Sequence, residues 1–132
     1  ACRSGTQMIK CVNSFVSNDV LTEYNEAVKN SKTPGTHAVV IGIVSNSLGI
    51  EKQKAVLQFL YGFSVSMVGA ALRLGMIEHI QSQKILHQLK PVIAETCNKY
   101  ISKSLSEMWQ FAPEYDVIQI AHEQTFSKMF IT

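Results

Sequence analysis

The sequence predicts an all-α protein, a helical bundle of about six helices around a central apolar helix. Three observations lead there. Apolar residues recur at helical spacing along most of the chain. The stretch from Ala55 to Leu72 holds no charged residue, which suits a helix wrapped on all sides. Ala38 to Val44, rich in Val and Ile, could be a short strand, but the chain offers no second strand to pair with it. A length of 132 residues suits one domain, 1–132.

Met8, Ile9, Val12, Phe15 and Val16 share one face of a first helix, roughly Arg3 to Val16. Ser17, Asn18 and Asp19 interrupt it and offer N-cap oxygens to a second helix carrying Val20, Leu21, Tyr24, Ala27 and Val28. Asn30 to Gly35, with Pro34-Gly35 at its end, is a loop. Thr36 can cap a third helix, and Gly49 suits its left-handed C-terminal residue. The uncharged stretch Ala55 to Leu72 follows. Its length would suit a membrane span, but Gln58, Ser64 and Ser66 interrupt it, and a bundle core is the expected setting. Gly62, Ser66 and Ala70 place small residues on one face, where another helix could approach closely. Gly75 ends this helix.

A fifth helix is expected from about His79 to Ser102, with Pro91 inside a regular stripe that runs from Ile85 to Ile101. Proline there removes one backbone donor and favours a kink. Ser104 and Glu107 have capping-box spacing for a short sixth helix. Pro113 breaks it, and a last segment runs from Asp116 to Thr132.

Composition narrows the function classes. Charged residues are 17% of the chain, against about 25% in ordinary domains, as if a partner covered part of the surface. The formal charge is +2 and no Lys/Arg run exists, so nucleic-acid binding is not expected. Three cysteines without CxxC spacing argue against a disulfide framework and fit a reducing cytoplasm. Cys11 and Cys97 fall on apolar stripes and read as core.

The histidines are His37, His79, His87 and His122. None pair at i, i+3 or i+4, so no helix presents a two-histidine metal clamp. GxSxG, SxxK, HExxH and glycine-rich phosphate loops are all missing. The scattered carboxylates Glu51, Glu78 and Glu95 form no pair. The chain therefore reads as a binding protein and not as an enzyme.

The tail is the most informative segment. His122-Glu123-Gln124-Thr125-Phe126-Ser127-Lys128-Met129-Phe130-Ile131-Thr132 is rich in large apolar side chains, whereas chain ends are usually frayed and polar. Such an end folds back on its own core or docks on a partner. His122-Glu123 followed by Phe126-Ser127-Lys128-Met129-Phe130 resembles the C-terminal signature of the UreF family of urease accessory proteins, His-Glu, two residues, then Tyr-Ser-Arg-Leu-Phe or Tyr. Thr36-His37-Ala38 with Gly42, Tyr61 on the central helix, and Arg73-Leu74-Gly75 before Gln83-Lys84-Ile85-Leu86 agree with the family in order. So do Arg3 and Gln7-Met8.

There are departures. Met76-Ile77-Glu78-His79 stands where the family often has Pro-Leu-Gly-Gln, Leu57 where some members carry Arg, and Lys128 where the tail has Arg. Lysine keeps the charge but loses the bidentate fork. The family's N-terminal half, with its Pro-x-Gly-x-x-x-x-Ser-x-Gly-Leu-Glu stretch, has no counterpart, so the chain is expected to be a C-terminal fragment.

The resemblance implies an all-helical, dimerising, cytoplasmic accessory protein. It would bind UreD (also called UreH), recruit the GTPase UreG and help load nickel into apo-urease. Nickel is then the cargo of the complex, with no tightly bound cofactor on this chain. The partner-binding residues implied are His122, Glu123, Phe126, Lys128, Met129 and Phe130 of the tail, with Tyr61 and His37. Tyr61 could equally be a core aromatic, and His37 a helix-start residue bonding the backbone. Arg73 reads as a charge at the helix C-terminus that favours the dipole. Two other readings stay open: a metallochaperone domain that itself binds nickel, and a helical enzyme whose site the sequence does not reveal.

Overall fold

In a computed structural model of the chain, residues 2–108 are described, together with Glu114, Val117, Ile118, Ile120 and Ala121. The described residues form five α-helices and one short 3-10 turn, with no strand. They are α1 (Cys2–Val12), α2 (Asp19–Lys29), α3 (His37–Ser47), α4 (Lys52–Arg73) and α5 (His79–Tyr100). The described residues up to Ser102 form one compact unit, and those from Lys103 onward belong to a second.

The helix boundaries have local causes. α1 stops at Val12 and not Val16, because the Ser14 hydroxyl donates to the Cys11 carbonyl at 2.6 Å and the chain continues as turns. Asn18 caps α2 as expected, its Oδ1 accepting from the Leu21 amide at 3.1 Å. Thr36 precedes α3 in extended backbone, but its side chain makes no capping bond. Gly49 and Gly75 close α3 and α4 in the left-handed region, with φ of 68° and 70°. The next amides reach back, Ile50 to the Ser45 carbonyl at 2.8 Å and Met76 to Ala71 at 3.0 Å. At the start of α5, the Gln81 side chain accepts from the Glu78 amide at 2.9 Å. α5 runs through Pro91 as one helix, without the bond that residue would have donated to the His87 carbonyl.

Two cores meet at α3. The first unites α1, α2 and α3 around Ile9, Leu21 and Val40, each fully buried, with Val12 and Val44. Met8, Val16, Tyr24, Val28 and Ile43 pack around them. Here α1 and the loop before α3 touch main chain to main chain. A Cβ on Gly5 would sit 2.1 Å from the Gly35 carbonyl oxygen and 2.9 Å from the His37 nitrogen. Gly35 itself adopts a φ of 67°, a conformation glycine takes without strain.

The second core is the α4–α5 hairpin, where Val68 on α4 and Leu86, Ile93 and Cys97 on α5 are buried, while Ala55 is buried on the α3 side of α4. The Cys97 thiol, 1% exposed, points at the Gln53 carbonyl at 3.9 Å. Gln53 and Asn98 join across the hairpin at 3.2 Å.

Two expectations need correction. Cys11 is exposed and not in the core, since α1 turns its Ile9 and Val12 side inward. α4 is central, holding α3 and α5, but those are the only helices packed on it among the described residues. Among the described residues it is not wrapped on all sides. Phe63, Met67 and Tyr61 are 59%, 54% and 41% exposed. By length and composition α4 could also cross a membrane. In the second unit, Leu105–Glu107 is only a 3-10 turn, closed by Glu107 on the Ser104 amide at 2.9 Å and on Lys103.

Candidate functional site

The candidate surface lies where α3 crosses α4. α3 begins at His37, whose ring sits 6.2 Å from that of Phe59, tilted by 44°. Its Nδ1 is buried and has no hydrogen-bond partner among the described residues, so His37 is not tied to the backbone through that atom. An unmet buried polar atom costs about 1–3 kcal/mol.

Next to this ring the two helices leave an open cleft of about 500 Å³. Ile41, Gly42, Val56 and Phe59 give it apolar walls, and Asn46 and Lys52 supply polar groups. A Cβ on Gly42 would meet nothing within 4 Å, so this glycine leaves space where a side chain would stand. Clefts of about 300–1,000 Å³ admit drug-sized ligands or an inserted side chain. The chemistry here suits a large apolar group, with a carboxylate or carbonyl turned to Lys52.

Tyr61 is half exposed. It follows Phe59 by two positions, about 200° around the helix. The structure therefore brings His37 to Phe59 but not to Tyr61, and the two candidates belong to different faces. Arg73 closes α4, where a cation favours the helix dipole. Its guanidinium lies over Gly69, 3.4 Å from where a Cβ would stand.

His122, Glu123, Phe126, Lys128, Met129 and Phe130 lie outside the described residues. His79 and His87 are exposed on α5. Among the described residues no three His, Cys, Asp or Glu side chains gather to hold a metal ion. The sequence reading missed Phe59 and the cleft. Gly42 and the i, i+3, i+4 run of Lys52, Ala55, Val56 and Phe59 were the available signals.

The geometry can be set beside known proteins. A family model described as UreF matches residues 1–90. The urease accessory protein UreF of Trichodesmium erythraeum is 33% identical over 128 residues, covering 97% of this chain and 55% of the relative. UreF 1 of Brucella melitensis is 27% identical over 129 residues, covering 98% and 54%. UreF of Yersinia pestis is 26% identical over 130 residues, covering 98% and 57%. No solved structure matches the chain. The chain spans about half the length of the curated relatives it matches. The match through α1 to α4 and into α5, with relatives aligned over nearly every residue, shows that the chain belongs to the UreF family of urease accessory proteins.

Proposed function

We propose that this chain acts in urease maturation as a non-catalytic scaffold. It binds UreD/UreH, recruits the GTPase UreG and supports nickel insertion into apo-urease. Family membership across nearly the whole chain is the observation that carries this reading. The open apolar cleft between α3 and α4 gives a helical scaffold the kind of surface that accepts a partner's side chain. The tail from His122 to Thr132 is the primary docking element, with Phe126, Met129 and Phe130 filling apolar pockets and Lys128 meeting a carboxylate. His37 and Tyr61 contribute from the helical body. Nickel is cargo of the assembly, which forms around a dimer of this protein in the cytoplasm.

The test is a pull-down with UreD/UreH, comparing the intact chain with one cut before His122. Binding lost while the helical circular-dichroism signal persists supports tail docking. Unchanged binding removes the tail from the interface and moves the contact to Tyr61 and His37. No binding by the intact, folded chain would overturn the scaffold reading for these residues.

A further inference from the structure

α3 and α4 are unequal partners. α3 has 11 residues and α4 has 22, about 16 Å against about 33 Å at 1.5 Å per residue. α3 packs on the first half of α4, where Ala55, Val56 and Phe59 line the shared cleft, and its first residue, His37, reaches Phe59. Steps of three and four carry that same side of α4 onward through Gly62, Phe63, Ser66 and Ala70. Among the described residues neither α1 nor α2 packs on α4 beyond Phe59, and α5 lies against the Val68 side.

The part of α4 that no described helix covers is more apolar than its sequence. The Ser66 hydroxyl bonds the Gly62 carbonyl at 2.9 Å, and Ser64 bonds Leu60 at 2.9 Å. Both serines are thus satisfied inside the helix and ask nothing of a neighbour. A Cβ on Gly62 would meet nothing within 4 Å. Phe63 and Met67 stand exposed beside this groove of small residues. With no charge from Ala55 to Leu72, the surface offers an acidic or basic segment no counter-charge. It fits an apolar helix approaching closely.

We infer that this face, from Gly62 to Ala70, is the seat of an apolar helix from the same polypeptide, outside these 132 residues. The relatives' lengths support this occupant, because 43–46% of each relative compared has no counterpart in this chain (100 minus the 57%, 55% and 54% covered). That remainder is long enough to supply one further helix that extends the line of α3 along α4. The inference does not depend on which accessory protein the tail binds.

The experiment compares the 132-residue chain with the complete gene product, each carrying Ser66→Cys, by thiol labelling read at residue 66 by peptide mass spectrometry. Labelling in the complete product is expected to be at least about tenfold slower than in the short chain, at every protein concentration. Gly62→Ala is the companion variant. It raises the melting temperature of the short chain, where the added methyl meets nothing and alanine favours the helix, and lowers that of the complete product, where the methyl enters a filled interface. Equal labelling in both proteins overturns the inference, as does a gene product of only 132 residues. Protection that grows with protein concentration assigns the face to a second copy, and protection only on lipid vesicles assigns it to a membrane. Either result overturns the inference as well.

Discussion

Gly5 occupies a helix interior, where glycine is ordinarily unfavourable, and the reason lies across the interface. With the Gly35 oxygen 2.1 Å from the position of a Cβ, even a methyl group forces main chain away from main chain. Gly5→Ala should therefore destabilise the chain by about 2–3 kcal/mol despite its gain in helix propensity. Thermal unfolding of the variant checks this, and an unchanged or higher melting temperature would refute the contact. Gly62→Ala has the opposite expected sign in the short chain. The sequence alone could not distinguish the two glycines, since each sits within an apolar helical pattern. The relevant difference is what stands opposite, and that is a tertiary fact. His37 is similar: its place at the start of α3 was legible, whereas its buried Nδ1 and its contact with Phe59 were not.

Among the elements, the turn Leu105–Glu107 is held by polar contacts at its start. Lys103 first, and then the Ser104 amide, hold the Glu107 carboxyl below its ordinary value of 4.5. A carboxyl with a lowered folded pKa stabilises the turn above its unfolded pKa, and that contribution disappears as pH falls through the lowered value. The Glu107 carboxyl should thus titrate below 4.5 by NMR. Glu107→Gln should abolish the Lys103 ion pair and remove the acid-dependent shift of the Ser104 amide. A midpoint that is not lowered would show that Lys103 and the Ser104 amide do not hold this carboxyl in solution. This capping box was readable from Ser104 and Glu107, because capping is local chemistry. The same holds for Asn18 before α2 and for Gly49 and Gly75 after α3 and α4. The covering of α4 was not readable. An uncharged helix looks the same in sequence whether its neighbours belong to this segment, to another segment or to another molecule. The Cys11 error has a related cause, since an apolar stripe broader than the buried strip leaves its edge residues exposed.

At the scale of the whole chain, α3 joins the two cores, one side facing α1 and α2 and the other facing α4. This sharing predicts one cooperative unfolding transition for residues 1–102. Ile9→Val in the first core and Ile93→Val in the second should each cost about 0.5–1.5 kcal/mol. Their effects should add to within about 0.5 kcal/mol, as for separated sites with no shared partner. Denaturant unfolding of the two single variants and the double variant checks this. Two resolved transitions, each moved by only one substitution, would mean that the hairpin and the three-helix core fold apart.

The notch between Gly5 and Gly35 also sets how the chain can change length. Surface loops commonly tolerate insertions, and Asn30 to Thr36, rich in polar residues and closed by Pro34-Gly35, looks like one that would. It is instead a spacer of fixed span. One end leaves α2, whose Leu21 is fully buried in the core, and the other delivers Gly35 against the α1 backbone. An added residue would push Gly35 out of the notch or pull α2 off its seat. Insertions among related chains should therefore accumulate at turns such as the one at Gly75, where a Cβ would meet nothing within 4 Å, and spare the segment before α3.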